Sequence, residues 1–295
     1  MKIVIATAGL GNMMFQYAIV SILRKMGVRS ILFVSNANAH HNGYELEHVF
    51  PSVKPYEGLP TIGKWYYQFL GKLRNVKFAK NKNFPHQLLL FPFKRFHASS
   101  SFTYYSEVYG TPNQNTYLLG YFQCYEYYKA FTLELQKLYA FNESRLSAKS
   151  SAMARTIRKT EDSVFVHVRR GDYVTDYYYK MFGSICNLDY YRRAVSEIKS
   201  RLQNPHFFIF SDDPEYVREN MSIAEATYVD FNYGKEAWQD MCLMSMCKHG
   251  IIANSTFSWW AAFLNRNEDK IVIAPSKWWG DTSSIDVLPP SWSRI

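Results

Sequence analysis

Val164-Phe165-Val166-His167-Val168-Arg169-Arg170-Gly171-Asp172-Tyr173 reads as a buried strand that runs straight into a charged, glycine-bearing turn. The apolar pattern over residues 163–168 alternates and then becomes continuous, as expected of a strand covered on both faces. In an extended chain His167 and Arg169 share one face and Val168 takes the other. An arginine at the end of a buried strand is costly unless it meets a fixed anion, and a planar guanidinium matches the forked oxygens of a pyrophosphate. The bland alternative is a structural ion pair between Arg169 or Arg170 and Asp172.

Outward from this strand the pattern alternates between helix and strand. Toward the C-terminus a helix is expected over residues 189–202, halted before Pro205, followed by a strand at 206–211. Asp213-Pro214 looks like an N-cap with a first-turn proline. A strand at 227–231, a helix at 235–248, a strand at 250–253, a helix from a cap at Asn254 or Ser255 to Leu264, and a strand at 270–274 complete the half. Toward the N-terminus, residues 2–7 form a strand. Phe15, Ile19, Ile22, Leu23 and Met26 line one helix face, Gly27 ends that helix, and 31–34 is the next strand. Between about 40 and 141 the pattern is poor, and only a small elaborated sheet is expected. Strands alternating with helices imply an α/β fold with parallel, doubly wound sheets. Ligands of such sheets bind at the carboxyl ends of the strands, here residues 7–12, 167–172, 211–213 and 253–257. The division into two domains is expected near 142–160, giving 1–150 and 151–295.

Three of those strand ends carry further chemistry. Ala8-Gly9-Leu10-Gly11-Asn12 opens a helix, where backbone N–H groups approach an anion. A dinucleotide fingerprint would need a third glycine where Met14 stands and an acid where the second strand ends in Ser35-Asn36, so the nicotinamide reading loses both of its supports, and a plain tight turn would also explain the glycines. Ser211-Asp212-Asp213-Pro214 places two adjacent acids after a strand. Successive residues of an extended chain face opposite ways, so a shared metal ion is not expected there. Asn254-Ser255-Thr256-Phe257 gathers polar side chains at the start of an apolar, buried helix, a second anion site without charge.

The 295 residues suffice for one large domain or two ordinary ones, and 47% hydrophobic with 20% charged residues is a globular composition. The start of the chain shows no cleavable leader or long apolar run, and the scattered Cys124, Cys186, Cys242 and Cys247 signal neither zinc nor a disulfide framework; a cytoplasmic protein with reduced thiols is expected. The net charge of +9 is concentrated. Residues 58–106 hold eight Lys or Arg and no Asp or Glu, interleaved with Trp65, Tyr66, Phe69 and other apolar residues. This basic, aromatic insertion is either a solvated surface or one that contacts anionic membrane headgroups.

The stretches 9–18, 167–173, 210–213 and 254–260 together resemble the bacterial α-1,2-fucosyltransferases, in the order of that family and over nearly the whole chain. Two residues depart from its pattern: Ala8 stands where the family usually has Gly, and Met13 where it usually has Gln. The resemblance implies a GT-B type architecture, two Rossmann-like domains facing across a cleft, with an acceptor-side N-terminal domain and a donor-binding C-terminal one. It implies GDP-fucose as donor, a terminal galactose of a glycan as acceptor, inversion at the anomeric carbon and no required metal or other cofactor. Carried over by position, His167 and Asp212 contact guanine and Arg169 holds the β-phosphate. Asn254, Ser255, Thr256 and Phe257 line the phosphate and ribose side, and Gly11 and Asn12 approach from the other domain. Arg169 would then stabilise the leaving nucleotide. A carboxylate would accept the acceptor's proton, Asp172 first and Asp176 second, unless the reaction needs little base assistance.

Two rival readings bracket this one. A nucleic-acid binder would use the basic segment for phosphate contact and base stacking, but leaves the motifs of the second half without a purpose, so no nucleic-acid partner is expected. A transferase using a different nucleotide sugar is the nearer rival.

Overall fold

The computed structural model describes residues 1–34, 42–73, 93–110, 115–175, 178–224 and 226–295, apart from the side chains of Leu73 and Asp172. It divides into two compact units, Met1–Tyr139 and Ala140–Ile295.

The first unit opens with β1 (Lys2–Ile5), α1 (Leu10–Lys25) and β2 (Ser30–Phe33), the expected β-α-β arrangement. Gly27 follows α1 at φ 78° and donates its N–H to the Arg24 carbonyl at 2.9 Å, a left-handed stop that L side chains rarely adopt. The chain continues through α2 (Leu46–Val49), α3 (Thr61–Leu73), β3 (Lys94–His97), β4 (Thr116–Leu119) and α4 (Thr132–Leu138). Its sheet is wholly parallel, in the order β2-β1-β4-β3. β1 is buried at every position, so the sheet is covered on both faces. Even Lys2 is enclosed, its ammonium donating to the carbonyls of Glu107, Val108 and Gly110 at 2.9, 2.6 and 2.7 Å.

The second unit alternates α5 (Ala148–Lys159), β5 (Asp162–Val168), α6 (Leu188–Arg201), β6 (Pro205–Ser211), α7 (Pro214–Asn220), β7 (Ala226–Val229), α8 (Trp238–Met246), β8 (His249–Ile251), α9 (Thr256–Leu264) and β9 (Val272–Ala274). A short antiparallel pair, β10 (Lys277–Trp279) and β11 (Thr282–Ser283), precedes β12 (Ser293–Arg294), which joins β9 at the sheet edge. The sheet order is β12-β9-β8-β5-β6-β7, every neighbour parallel. On one face Val164, Val166 and Val168 pack with Phe207 and Ile209 against Tyr190, Tyr191, Ala194 and Ile198 of α6 and Val217 of α7. Phe165 and His167, pointing the other way, are buried as well. The α/β class with parallel sheets is thus borne out in each unit. α9 is the apolar helix expected: Ser258 to Leu264 are all buried, and the Trp259 indole donates to the Val287 carbonyl at 2.9 Å.

The strand orders locate the ligand-binding positions. In the first unit the chain moves from β1 outward to β2, then returns on the other side, so the order reverses between β1 and β4. In the second it reverses between β5 and β8. A crevice at the carboxyl ends of the strands is expected at each such reversal. Among the described residues, no helix is long and apolar enough to cross a membrane.

Candidate functional site

The reversal between β5 and β8 is where the polar residues of the second unit gather. β5 ends at Val168, β6 at Ser211 and β8 at Ile251, and the parallel register sets Val168 beside Ser211. The segments that follow therefore emerge at one edge: Arg169 to Tyr173, Asp212 to Asp213, and Ile252 to Phe257.

Two ion pairs join the first two segments. Arg169 Nη1 lies 2.6 Å from Asp212 Oδ2, with about a quarter of each side chain exposed. Asp212 Oδ1 accepts the backbone N–H of Arg170 at 2.8 Å. The Arg170 Nε donates to Asp213 Oδ2 at 2.9 Å, and its guanidinium lies over the Tyr216 ring, 3.3 Å from the centroid. Asp213 also caps α7, accepting the Tyr216 N–H on Oδ1 at 3.2 Å. The Arg170 hydrogen bond holds the Asp213 carboxyl below its ordinary range, with the Tyr216 N–H and the Arg170 charge adding to it. The two acids thus serve two different arginines, as their opposite directions on an extended chain require. The arginines' partners in these pairs are Asp212 and Asp213; the Asp172 side chain, the other partner considered, lies outside the described residues.

Gly171 makes this packing feasible. A Cβ there would stand 2.5 Å from Asp212 Oδ2 and 3.5 Å from the Arg169 guanidinium carbon. Only a residue without a side chain lets the Asp212 carboxylate lie under the turn.

His167 is 6% exposed, and its Nδ1 is buried with no hydrogen-bond partner. Burial, and then the neighbouring Arg169 charge, push its pKa down to about 3, so the ring is neutral at ordinary pH. The Phe257 ring faces it at 5.7 Å, and the His167 carbonyl accepts from the Tyr191 hydroxyl at 3.0 Å. An unsatisfied buried nitrogen costs about 1–3 kcal/mol.

The third segment is held from below. The Asn254 amide donates to the carbonyls of Phe182 and Trp278, both at 3.2 Å, and the Tyr173 hydroxyl donates to the Asn254 carbonyl at 3.1 Å. Ser255 is the cap of α9, its hydroxyl accepting from the Phe257 N–H at 3.3 Å. Asn254 therefore braces the loop, while Ser255, Thr256 and Phe257 form the start of the helix.

His167, Arg169, Asp212, Asn254, Ser255, Thr256 and Phe257 thus come together at one sheet edge. Asp172 lies on the short turn Gly171–Val174, its side chain outside the described residues, and Asp176 lies outside them altogether. Gly11 and Asn12 begin α1 in the first unit, where the Gln123 amide donates to Asn12 Oδ1 at 2.7 Å. The loop before them is strained: Ala8 sits at φ 63° and Phe122, after the adjacent β4, at φ 53°. Gln16 ties these two strand ends by donating to Thr7 Oγ1 at 2.7 Å and to the Gly120 carbonyl at 3.0 Å. Gly171 and Tyr173 belong to the quoted motif but have no role legible there, and Tyr191 lies outside it, because their roles depend on which loops the sheet brings together. Among the described residues no cluster of three or more His, Cys, Asp or Glu is arranged to hold a metal ion.

Comparison with known proteins gives the family of the chain. An Escherichia coli alpha-1,2-colitosyltransferase is 31% identical over 307 aligned positions, covering all of this chain and 99% of that protein. A galactoside alpha-(1,2)-fucosyltransferase 1 from Saimiri boliviensis boliviensis is 35% identical over 114 positions, 38% of this chain and 31% of its own length. Among solved structures, NodZ alpha-1,6-fucosyltransferase soaked with GDP-fucose superposes with a TM-score of 0.47 at 13% identity, covering 89% of this chain and 92% of that one. The family model for glycosyl transferase family 11 matches residues 2–294, and the chain is a glycosyltransferase belonging to that family.

Proposed function

We propose that this glycosyltransferase moves L-fucose from GDP-fucose to the 2-hydroxyl of a terminal galactose, with inversion and without a metal ion. The observation that carries the nucleotide part of this reading is the gathering of His167, Arg169, Asp212 and the start of α9 at the reversal between β5 and β8.

In this reading Asp212 accepts from the N–H and amino groups of guanine, and Arg169 meets the β-phosphate. Guanine and β-phosphate occupy opposite ends of the nucleotide, whereas Arg169 and Asp212 are paired with each other at 2.6 Å. Donor binding therefore exchanges the ion pair for two contacts to the ligand, Arg169 turning to phosphate and Asp212 to base. The start of α9, with Ser255, Thr256 and Phe257, supplies backbone N–H groups to the phosphates.

The chemical step breaks the bond between the anomeric carbon and the β-phosphate oxygen as the galactose 2-oxygen bonds to the opposite face of that carbon. Negative charge collects on the departing GDP, and the Arg169 guanidinium stabilises it as it forms. The acceptor's proton passes to a carboxylate, Asp172 in the first instance and Asp176 in the second. The enzyme works in the cytoplasm on galactose-terminated glycans.

A second donor is favoured by one observation. The relative aligned over its whole length transfers colitose, by its name, so a colitosyl in place of a fucosyl group suits the same reading of the nucleotide site. Thermal melting with GDP and with UDP tests that site. A ligand at a hundredfold excess over its dissociation constant stabilises by about 2.7 kcal/mol, so GDP should raise the midpoint and UDP should not. Equal shifts from the two nucleotides would remove Asp212 and His167 from base recognition.

A further inference from the structure

Four of the twelve large hydrophobic side chains exposed among the described residues stand on a single helix, α3. Ile62 is 84% exposed, Trp65 72%, Tyr66 51% and Phe69 52%. Their spacing of three, four and seven residues from Ile62 puts them on one stripe. The opposite side of α3 is anchored: Tyr67 and Leu70 are buried in a cluster with Leu59, Ile3, Ile5, Ile31, Phe33 and Tyr117. Gly71 approaches the Val34 carbonyl so closely that a Cβ would stand 2.4 Å from it. The helix is therefore clamped to the first unit's sheet on one side while its other side presents a row of aromatic and aliphatic groups to water.

Along the sequence, the charge flanking this stripe is of one sign. Lys64 and Lys72 are exposed on the same helix, and Lys94 and Arg95 are exposed on the edge strand β3. Residues 58–106 contain eight Lys or Arg and no acid; four of the eight, Arg74, Lys77, Lys80 and Lys82, lie outside the described residues. Glu57, the acid nearest in sequence before the helix, is paired with Arg24 at 3.1 Å.

We infer that the outer stripe of α3 is an interfacial anchor that seats the enzyme on an anionic lipid bilayer. Trp, Tyr, Phe and Ile enter the headgroup boundary, and the lysines meet lipid phosphates, each held by the physics that suits it. The chemistry argues against the other occupants. A second copy placed by two-fold symmetry would oppose two cationic faces. Single-stranded RNA would use the aromatic rings for stacking but leaves Ile62, the most exposed of the row, without a purpose.

The test uses the full chain with phosphatidylglycerol–phosphatidylcholine vesicles and with pure phosphatidylcholine vesicles at low salt. Sedimentation should show binding to the anionic vesicles alone. The triple variant Ile62→Ser, Trp65→Ser, Phe69→Ser should lower that binding by about tenfold or more, and Lys64→Glu with Lys72→Glu should lower it similarly. Transfer to a soluble galactoside should be unchanged in every variant, since none of these residues belongs to the donor site. If the transferase reading is wrong, no variant and no parent makes product while vesicle binding persists, so the two failures are distinguishable. Equal binding to neutral vesicles, no vesicle binding at all, or a triple variant that binds as the parent does overturns the inference. So does a parent dimer that the triple variant converts to a monomer, or a salt-sensitive RNA complex in place of vesicle binding.

Discussion

Replacing Gly171 by alanine should disable the second unit's rim while leaving the fold in place. The added carbon would stand 2.5 Å from Asp212 Oδ2. Carbon–oxygen contacts settle at about 3.3–3.6 Å, so the carboxylate must withdraw by roughly 0.8–1.1 Å. That displacement breaks its 2.6 Å contact with Arg169 and its 2.8 Å bond from the Arg170 N–H. Hydrogen bonds to charged groups contribute about 1.5–3 kcal/mol each, and partial exposure lowers this; the expected loss of stability is about 2 kcal/mol. The catalytic loss should be larger, because a misplacement of about 1 Å commonly costs on the order of a hundredfold in rate. Melting and transfer kinetics would be measured for Gly171→Ala, Asp212→Ser and the double variant. In the Asp212→Ser background the steric conflict is gone, so the added methyl group should cost almost nothing. A Gly171→Ala penalty of equal size in both backgrounds would refute the steric argument.

Arg169→Ala should lower turnover by a factor equivalent to about 2.7–4 kcal/mol of barrier; a folded variant that keeps more than a tenth of the parent's activity would take the leaving-group role from Arg169. Asp240 offers a stability test away from the site. Burial raises its pKa to about 7 although Asn232 donates to it at 2.7 Å. Its folded pKa lies above the unfolded value of 3.8, so the native state holds the proton more tightly and stability is lost as pH rises from about 4 through 7. Asp240→Asn should therefore flatten that decline, with a ceiling of about 4 kcal/mol above pH 7, and denaturant melts at pH 5 and pH 8 that decline in parallel for the two proteins would contradict it. Ala8→Gly should raise the melting point by about 2–4 °C, since a left-handed alanine costs about 1 kcal/mol relative to glycine; a lower melting point would show that φ 63° is not strained.

The second half of the chain was legible because its strands are buried on both faces and therefore appear as apolar runs. The elements expected there each formed within a few residues of their bounds, and Ser255 and Asp213 cap the helices that follow them. The first half beyond β2 was not legible, for physical reasons. β3 is an edge strand of sequence Lys-Arg-Phe-His, exposed at three of its four positions, so no apolar run marks it. The apolar arc of α3 is wide enough to take in both the buried Tyr67 and Leu70 and the exposed Ile62, Trp65, Tyr66 and Phe69, so the pattern does not tell which part faces the core. β12 joins the second sheet through two polar residues at the chain's end. At the site, the clustering of His167, Arg169, Asp212 and residues 254–257 followed from strand ends alone. The partnership of each arginine did not, because Asp212 and Asp213 lie more than forty residues from the arginines in sequence and reach them only through the β5–β6 register. The orphaned His167 nitrogen depends on what surrounds the ring, which no periodicity reveals.

Incubating the purified chain with GDP-fucose and a β-galactoside in the presence of EDTA, then determining the linkage of any product, is the sharpest test of metal-free fucosyl transfer. The expected product carries fucose joined in α-configuration to the galactose 2-oxygen, formed at an undiminished rate with the chelator present. Fucose on another hydroxyl, a β-linked product, or activity that returns only with Mg²⁺ or Mn²⁺ would contradict it.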